Sequence, residues 1–287
     1  MEPELIADYE CVTGEGPLWH PLEKRLYWVD ITKGRIFRFD PATGKHEICY
    51  EGEKVGGFTI QKDGSLLLFR TKGNVVIWKN GKTTTVVKEI PEELENRYND
   101  VIADPAGRVF CGILSEKFEP GRLYRLDTDG SITKVLENIG CPNGMGFTLD
   151  RKQMYFTDTI PAKTIYLFNY DKKTGNITNQ RVFVKVSAAD GGPDGMTVDA
   201  EGYIWSASWD GWALVRYTPQ GVEERRIRFP AKQVSSVTFG GEDLKDIYVT
   251  TAGGDNKVEN GPGAGALFRL RLGIKGVPEF YSRVQVK

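Results

Sequence analysis

Glu15, Asn99, Asn143 and Asp194 lie far apart in the chain, yet each stands at the same place in a recurring segment. The segments open with Glu15-Gly16-Pro17, Gly56-Gly57-Phe58, Asn99-Asp100-Val101, Asn143-Gly144-Met145, Asp194-Gly195-Met196 and Ser235-Ser236-Val237. Each continues as a short β-type run, a turn and a second β run. In a closed, radially repeated fold, equivalent positions meet around the axis. Glu15, Asn143 and Asp194 would then supply two carboxylates and an amide oxygen at one point, an all-oxygen set that suits a hard divalent cation such as Ca²⁺, Mg²⁺ or Mn²⁺. Carboxylates also take Zn²⁺, but His20 and His46 are the only histidines, so a His-rich zinc site is impossible. Asn99 offers a fourth ligand or a contact to substrate. Gly56 and Ser235 offer no strong ligand and leave one side of the ring open, the pattern of a catalytic ion more than a structural one. Taken singly, an Asn or Asp before Gly is an ordinary turn former. The shared position in the repeat is what argues for convergence.

The elements that would position these residues follow from the first copy. Pro17-Leu18-Trp19-His20 starts a strand, and Pro21-Leu22-Glu23-Lys24 turns it. Arg25–Asp30 is rich in aromatic and β-branched residues, and Arg35–Asp40 alternates polar with apolar as a half-buried strand should. Pro41-Ala42-Thr43-Gly44 is a turn before a fourth strand, His46–Tyr50. Four short strands make one propeller blade. The same punctuation returns at Asp63-Gly64, Asp104-Pro105-Ala106-Gly107, Asp150-Arg151-Lys152 and Asp199-Ala200-Glu201-Gly202, at a period of roughly 40 to 50 residues. The reading is therefore all-β: a six-bladed β-propeller of four antiparallel strands per blade, one domain over residues 1–287. Leu5–Val12 is strand-like and belongs to no copy, so it is expected to complete the last blade and close the ring. Val277–Ser282 reads as a tail, and only Pro91–Glu95 hints at a helical turn.

Composition narrows the partners. Of 287 residues, 38 are basic and 39 acidic, and no Lys/Arg tract stands out, which argues against nucleic acid or an anionic membrane. Met1-Glu2-Pro3-Glu4-Leu5 lacks the basic and apolar regions of a secretory signal, and no apolar stretch approaches the roughly 20 residues of a membrane helix. Cys11, Cys49, Cys111 and Cys141 form no C-x-x-C pair and read as reduced thiols of a cytoplasmic protein, a monomer or weak oligomer. Cys141 stands two residues before Asn143, but no base is near it in sequence, so it reads as a small buried hydrophobe. Trp19, Trp28, Trp78 and Trp205 read as blade core, while Trp209 and Trp212 are candidates to line a ligand mouth.

Several of these stretches together resemble the regucalcin/gluconolactonase family, also called the senescence-marker-protein family. They are Gly14–Trp19, Asn96-Arg97-Tyr98-Asn99-Asp100, Asp104–Arg108, Pro142-Asn143-Gly144, Pro193-Asp194-Gly195-Met196 and Ser236–Gly241 with Ile247–Ala252. The likeness spans nearly the whole chain. It implies a six-bladed propeller with one divalent cation in its channel, commonly hydrolysing sugar lactones. Glu15, Asn143 and Asp194 match the family's metal ligands. Asn99 matches a residue that contacts solvent on the metal and the substrate, Arg97 a substrate-binding arginine, and Glu116 a glutamate that bonds sugar hydroxyls in some members. The stretch after Glu116 is shorter than in animal members, and Gly16 is often serine there. The implied chemistry is opening of an aldonolactone by water, with the cation (Ca, Mg, Mn or Zn) as Lewis acid and Asp194 as general base. Two alternatives keep the metal: hydrolysis of organophosphates or aryl esters, and a calcium-binding regulator without turnover.

Overall fold

The computed structural model describes residues 2–115, 117 and 120–286. These form six four-stranded antiparallel sheets in which sequence neighbours pair in order from the axis outward. The innermost strands are Gly14–His20, Val55–Ile60, Asn96–Ala103, Pro142–Phe147, Gly192–Val198 and Val234–Gly240, here blades 1 to 6. Four of them are buried throughout and Asn96–Ala103 is buried at half its residues, whereas outermost strands such as Lys45–Glu51 and Glu223–Arg228 are largely exposed or half-buried. The alternation read in Arg35–Asp40 is therefore that of a third strand, between a buried second strand and a wetter edge.

Apolar packing lies between blades. One cluster joins Val29, Ile36 and Val55 to Leu68, and another joins Phe69 and Val75 to Val109 and Leu126. Similar clusters follow around the ring, the last joining Trp19, Trp28 and Phe37 of blade 1 to Tyr248 and Leu267 of blade 6. Each blade twists by the hand of its L-residues, so face-to-face packing of six wedges closes a circle. Trp19, Trp28 and Trp205 are buried, and Trp78 is half-buried against the blade 1–2 cluster. Among the described residues no helix is long and apolar enough to cross a membrane.

The ring is fastened as expected. Glu4–Asp8 pairs antiparallel with Ala266–Leu270 and becomes the outermost strand of blade 6. The strand is shorter than the expected segment, because the chain turns at Glu10 (φ 51°) toward the innermost strand of blade 1.

The C-terminal tail is a strap across the underside of the ring. Gly276 N donates to Leu244 O of blade 6, and Lys275 O accepts from Ala200 N of blade 5. Phe280 packs edge-on against Phe147 of blade 4, with ring centroids 5.9 Å apart. Ser282 N then donates to Ile60 O of blade 2, and Arg283 N to Gly107 O of blade 3. The strap closes one end of the axial channel, leaving a cavity of about 70 Å³ bounded by inner-strand residues, Asp100, Glu279 and Phe280.

Candidate functional site

At every one of the six recurring positions the ladder between first and second strands is interrupted, with one extra residue on the innermost strand. The slips fall between Glu15 and Leu18, Val55 and Gly57, Tyr98 and Val101, Asn143 and Met145, Pro193 and Met196, and Val234 and Ser236. Gly56, Asn99, Asp194 and Ser235 fall in the bulges themselves, outside the ladder, while Glu15 and Asn143 are the last paired residues before theirs, opposite Val29 and Thr157. The Asn-Gly and Asp-Gly pairs are therefore bulged strand, not the hairpin turns such pairs ordinarily make. All six recurring positions thus lie at or beside a bulge of an innermost strand.

Close approach of neighbouring blades fixes what can stand there. A Cβ on Gly56 would overlap the Tyr98 carbonyl of blade 3, so the second copy can present no ligand. A Cβ on Gly144 would meet Asp194 O of blade 5 at 2.5 Å. Ser235 donates its hydroxyl to Gly14 O at 2.5 Å and lies 3.0 Å from Thr250 Oγ1, which ties blade 6 to the residue before Glu15.

Glu15, Asn99, Asn143 and Asp194 are only 4%, 7%, 4% and 2% exposed, so their polar groups must be satisfied inside the protein. Gly16 N donates to Glu15 Oε2 at 3.0 Å. Arg97 Nη1 donates to Asn99 Oδ1 at 2.8 Å, and Asn99 Nδ2 donates to Asn143 Oδ1 at 2.9 Å and to Pro142 O at 3.0 Å. Asn143 Nδ2 donates to Thr159 Oγ1 at 2.8 Å, and Thr159 Oγ1 donates to Pro193 O at 2.7 Å. Arg97, Asn99, Asn143 and the residue before Asp194 thus form one connected chain. Glu116 lies outside the described residues.

Burial holds the Asp194 carboxyl well above the usual carboxylate range, and the charges of Glu15 and Asp100 add to it. Burial likewise raises Glu15, with Asp100 next. Asp100, raised by burial to about 7, was missed in the sequence reading although it adjoins Asn99. Its signal was two consecutive polar residues on an innermost strand, both of which a bulge can turn inward. Among the described residues no three His, Cys, Asp or Glu side chains gather as a chelating group. A cation here would rest on the two carboxylates and the Asn143 amide oxygen. That donor set fits a hard divalent ion: two repelling acids in a dry place are what an added positive charge would relieve.

The loops that lead to the candidate ligands Glu15 and Asn143 are clamped. Asp158 accepts from Cys141 N at 3.0 Å and Gly140 N at 3.3 Å, and Asp30 accepts from Thr13 N at 3.1 Å and Val12 N at 3.2 Å. Each aspartate ends a second strand and holds the segment leading to Glu15 or Asn143. In blade 3 the short 3₁₀ turn Pro91–Glu93 brings in buried Glu93, which accepts from Asn96 Nδ2, Tyr124 Oη and Arg122 Nη1 just ahead of Arg97. Cys141, pushed up to about 12 chiefly by burial, is an inert thiol.

On the open side of the ring is a cavity of about 800 Å³. Its wall is apolar, with Ile31, Leu114, Ile139 and Ile160, and carries Arg97 and Cys141. Its size is that of a small-molecule site. Neither Trp209 nor Trp212 lines it; Trp212 lies against Gly261.

Residues 13–253 match the family model described as SMP-30/Gluconolactonase/LRE-like region. The chain is similar to pentonolactonase XacC of Haloferax volcanii, 49% identical with 100% of both chains aligned. It is 33% identical to regucalcin of Gallus gallus over 96% of this chain and 97% of that one. A solved regucalcin of Agrobacterium tumefaciens, described as a calcium-binding protein, superposes with a TM-score of 0.91 at 27% identity, covering 98% of this chain and 97% of that one. By sequence over its full length, and by six blades whose bulges carry the ring of polar residues, the chain belongs to the SMP-30/gluconolactonase/LRE-like family.

Proposed function

We propose that this protein is a lactonase that opens sugar lactones to aldonic acids with a divalent cation held by Glu15, Asn143 and Asp194. The observation that carries the reading is a pair of buried, mutually repelling carboxylates beside an amide oxygen, in a chain alignable end to end with a pentonolactonase. A bound divalent cation would supply Lewis-acid polarisation of the lactone carbonyl.

The chain's own residues do the rest. Arg97, which lines the mouth cavity, and Asn99, joined to it by a 2.8 Å hydrogen bond, orient the lactone by its carbonyl and hydroxyl oxygens. Glu116 bonds a sugar hydroxyl in this reading. The apolar wall of the mouth keeps bulk water from the carbonyl face. An Asp194 oxygen takes a proton from the attacking water as its oxygen bonds the carbonyl carbon. That proton returns to the ring oxygen as the ring C–O bond breaks, leaving one hydroxyl and one carboxyl group from one water. Asp194, buried beside the proposed cation, is the carboxylate placed to take that proton. No thiol or imidazole takes part.

Net charge near zero and four free cysteines agree with a cytoplasmic protein acting on a small neutral substrate. Calcium binding without turnover is the second reading, favoured by the description of the Agrobacterium structure. Proton release from a panel of sugar lactones separates the two, assayed after EDTA treatment with Ca²⁺, Mg²⁺, Mn²⁺ or Zn²⁺ added back singly. EDTA-sensitive hydrolysis that D194A abolishes together with cation uptake supports the lactonase. A D194A protein that retains full activity refutes the assignment.

A further inference from the structure

We infer that Thr159 is a positioning residue that fixes the Asn143 amide with its oxygen toward the channel and thereby sets cation affinity. The inference rests on the reading of Asn143 as a cation ligand. A carboxylate ligand needs no such help, because both its ends are oxygen. An amide has one acceptor end and one donor end, and a flipped Asn143 would point N–H groups at a cation.

Proton counting decides the orientation. Thr159 Oγ1 carries one hydrogen, and the Pro193 carbonyl 2.7 Å away can only accept it. The Asn143 atom 2.8 Å from Thr159 Oγ1 must therefore donate, and it is Nδ2. The other end of the chain gives the same answer. A guanidinium only donates, so the Asn99 atom 2.8 Å from Arg97 Nη1 is Oδ1. Asn99 Nδ2 then faces Pro142 O at 3.0 Å and the Asn143 side chain at 2.9 Å, where it needs an acceptor, and Oδ1 fills that role. A carbonyl oxygen has two lone pairs, so Asn143 Oδ1 keeps one for an ion.

Thr159 is well placed for this. It is 3% exposed, its N donates to Cys141 O at 3.0 Å, and the preceding Asp158 clamps Gly140 and Cys141. Its hydroxyl also ties Asn143 in blade 4 to Pro193 in blade 5, one residue before Asp194. In blade 1, the aspartate that pairs opposite Gly14 as Asp158 does opposite Pro142 is Asp30, and it is followed by Ile31, with no hydroxyl. There the ligand is Glu15, which has no flip to control. The hydroxyl stands in the blade whose ligand is an amide.

The test separates hydroxyl from volume. Calorimetric Ca²⁺ affinity and melting temperature in EDTA are measured for the full-length wild type, T159V and T159S. T159V keeps the volume and loses the acceptor, so its affinity should fall about 10- to 100-fold, as when a partner that orients a metal ligand is removed. T159S keeps the hydroxyl and should bind like the wild type, although it melts lower for want of a buried methyl. T159V leaves Asn143 Nδ2 and Pro193 O without a partner and melts lower as well, so T159S, destabilised yet binding, is the control that separates lost affinity from lost stability. Wild-type affinity in T159V, or lost affinity in folded T159S, overturns the role of Thr159 while leaving the cation reading intact. If T159V does not fold, T159A, which also lacks the hydroxyl, takes its place, and wild-type affinity there overturns the role. A wild type that binds no Ca²⁺, Mg²⁺ or Mn²⁺ overturns both.

Discussion

Replacing Glu279 by Gln should make the protein more stable, and only above a definite pH. Glu279 sits on the strap with its side chain against the closed axial cavity, and a 3.5 Å contact to Thr197 Oγ1 is its hydrogen bond. Burial pushes its carboxyl up from the usual 4.5 to about 7. The folded protein then holds this proton over a range where the unfolded chain has released it. Stability consequently falls as pH rises from about 4.5 to about 7 and stays reduced above that. At 1.36 kcal/mol per tenfold the full effect is about 3 kcal/mol. The side chain is only partly shielded, since it faces a cavity large enough for water, so about half of that is the reasonable figure. Glutamine keeps the shape and a hydrogen-bonding oxygen without a charge to bury. With roughly 2–4 °C per kcal/mol for a chain of this size class, E279Q should melt about 3–6 °C above the wild type at pH 8 and within error of it near pH 4.5. Thermal denaturation of both proteins in EDTA across that range is the assay. An equal difference at all pH values, or an E279Q protein that melts lower at pH 8, refutes the reasoning.

Asp194→Asn should divide stability from binding: in EDTA it should melt higher than the wild type, because one of two buried carboxyls that oppose each other's ionisation is gone, and saturating Ca²⁺ should reverse the order. Calorimetry with and without Ca²⁺ checks this, and a variant less stable than the wild type in EDTA counts against it. Gly56→Ala places a methyl on the Tyr98 carbonyl, so blades 2 and 3 must part. A loss of about 3 kcal/mol or more is expected, and an unchanged urea midpoint would show that the backbones there can yield.

The blades were legible because their signals are local. Turn aspartates such as Asp104 and Asp199 accept from amides two and four residues on, and the same atoms that make the turn mark it in the sequence. The candidate site was legible only through register. Glu15, Asn143 and Asp194 mean little apart and acquire meaning as one column of a repeat. What escaped notice depends on long-range contact. Thr159 reads as an ordinary residue at the end of a strand until Pro193 is brought against it from 34 positions away. Asp100 matters because its charge acts on residues of blades 1 and 5. The strap has no strand pattern, since it bonds to a different blade at nearly every step. The bulges were hidden because an extra residue looks in sequence like any other.

The closure of blade 6 by Glu4–Asp8 imposes an order on biosynthesis. That segment is translated before every other strand of the ring, yet the strand it pairs with is finished only at Leu270. For most of translation the nascent chain must carry an unsatisfied β-edge, and blades made early can pack only on their successors. A chain halted before residue 266 would be an open crescent with two sticky rims, a substrate for chaperones or proteases.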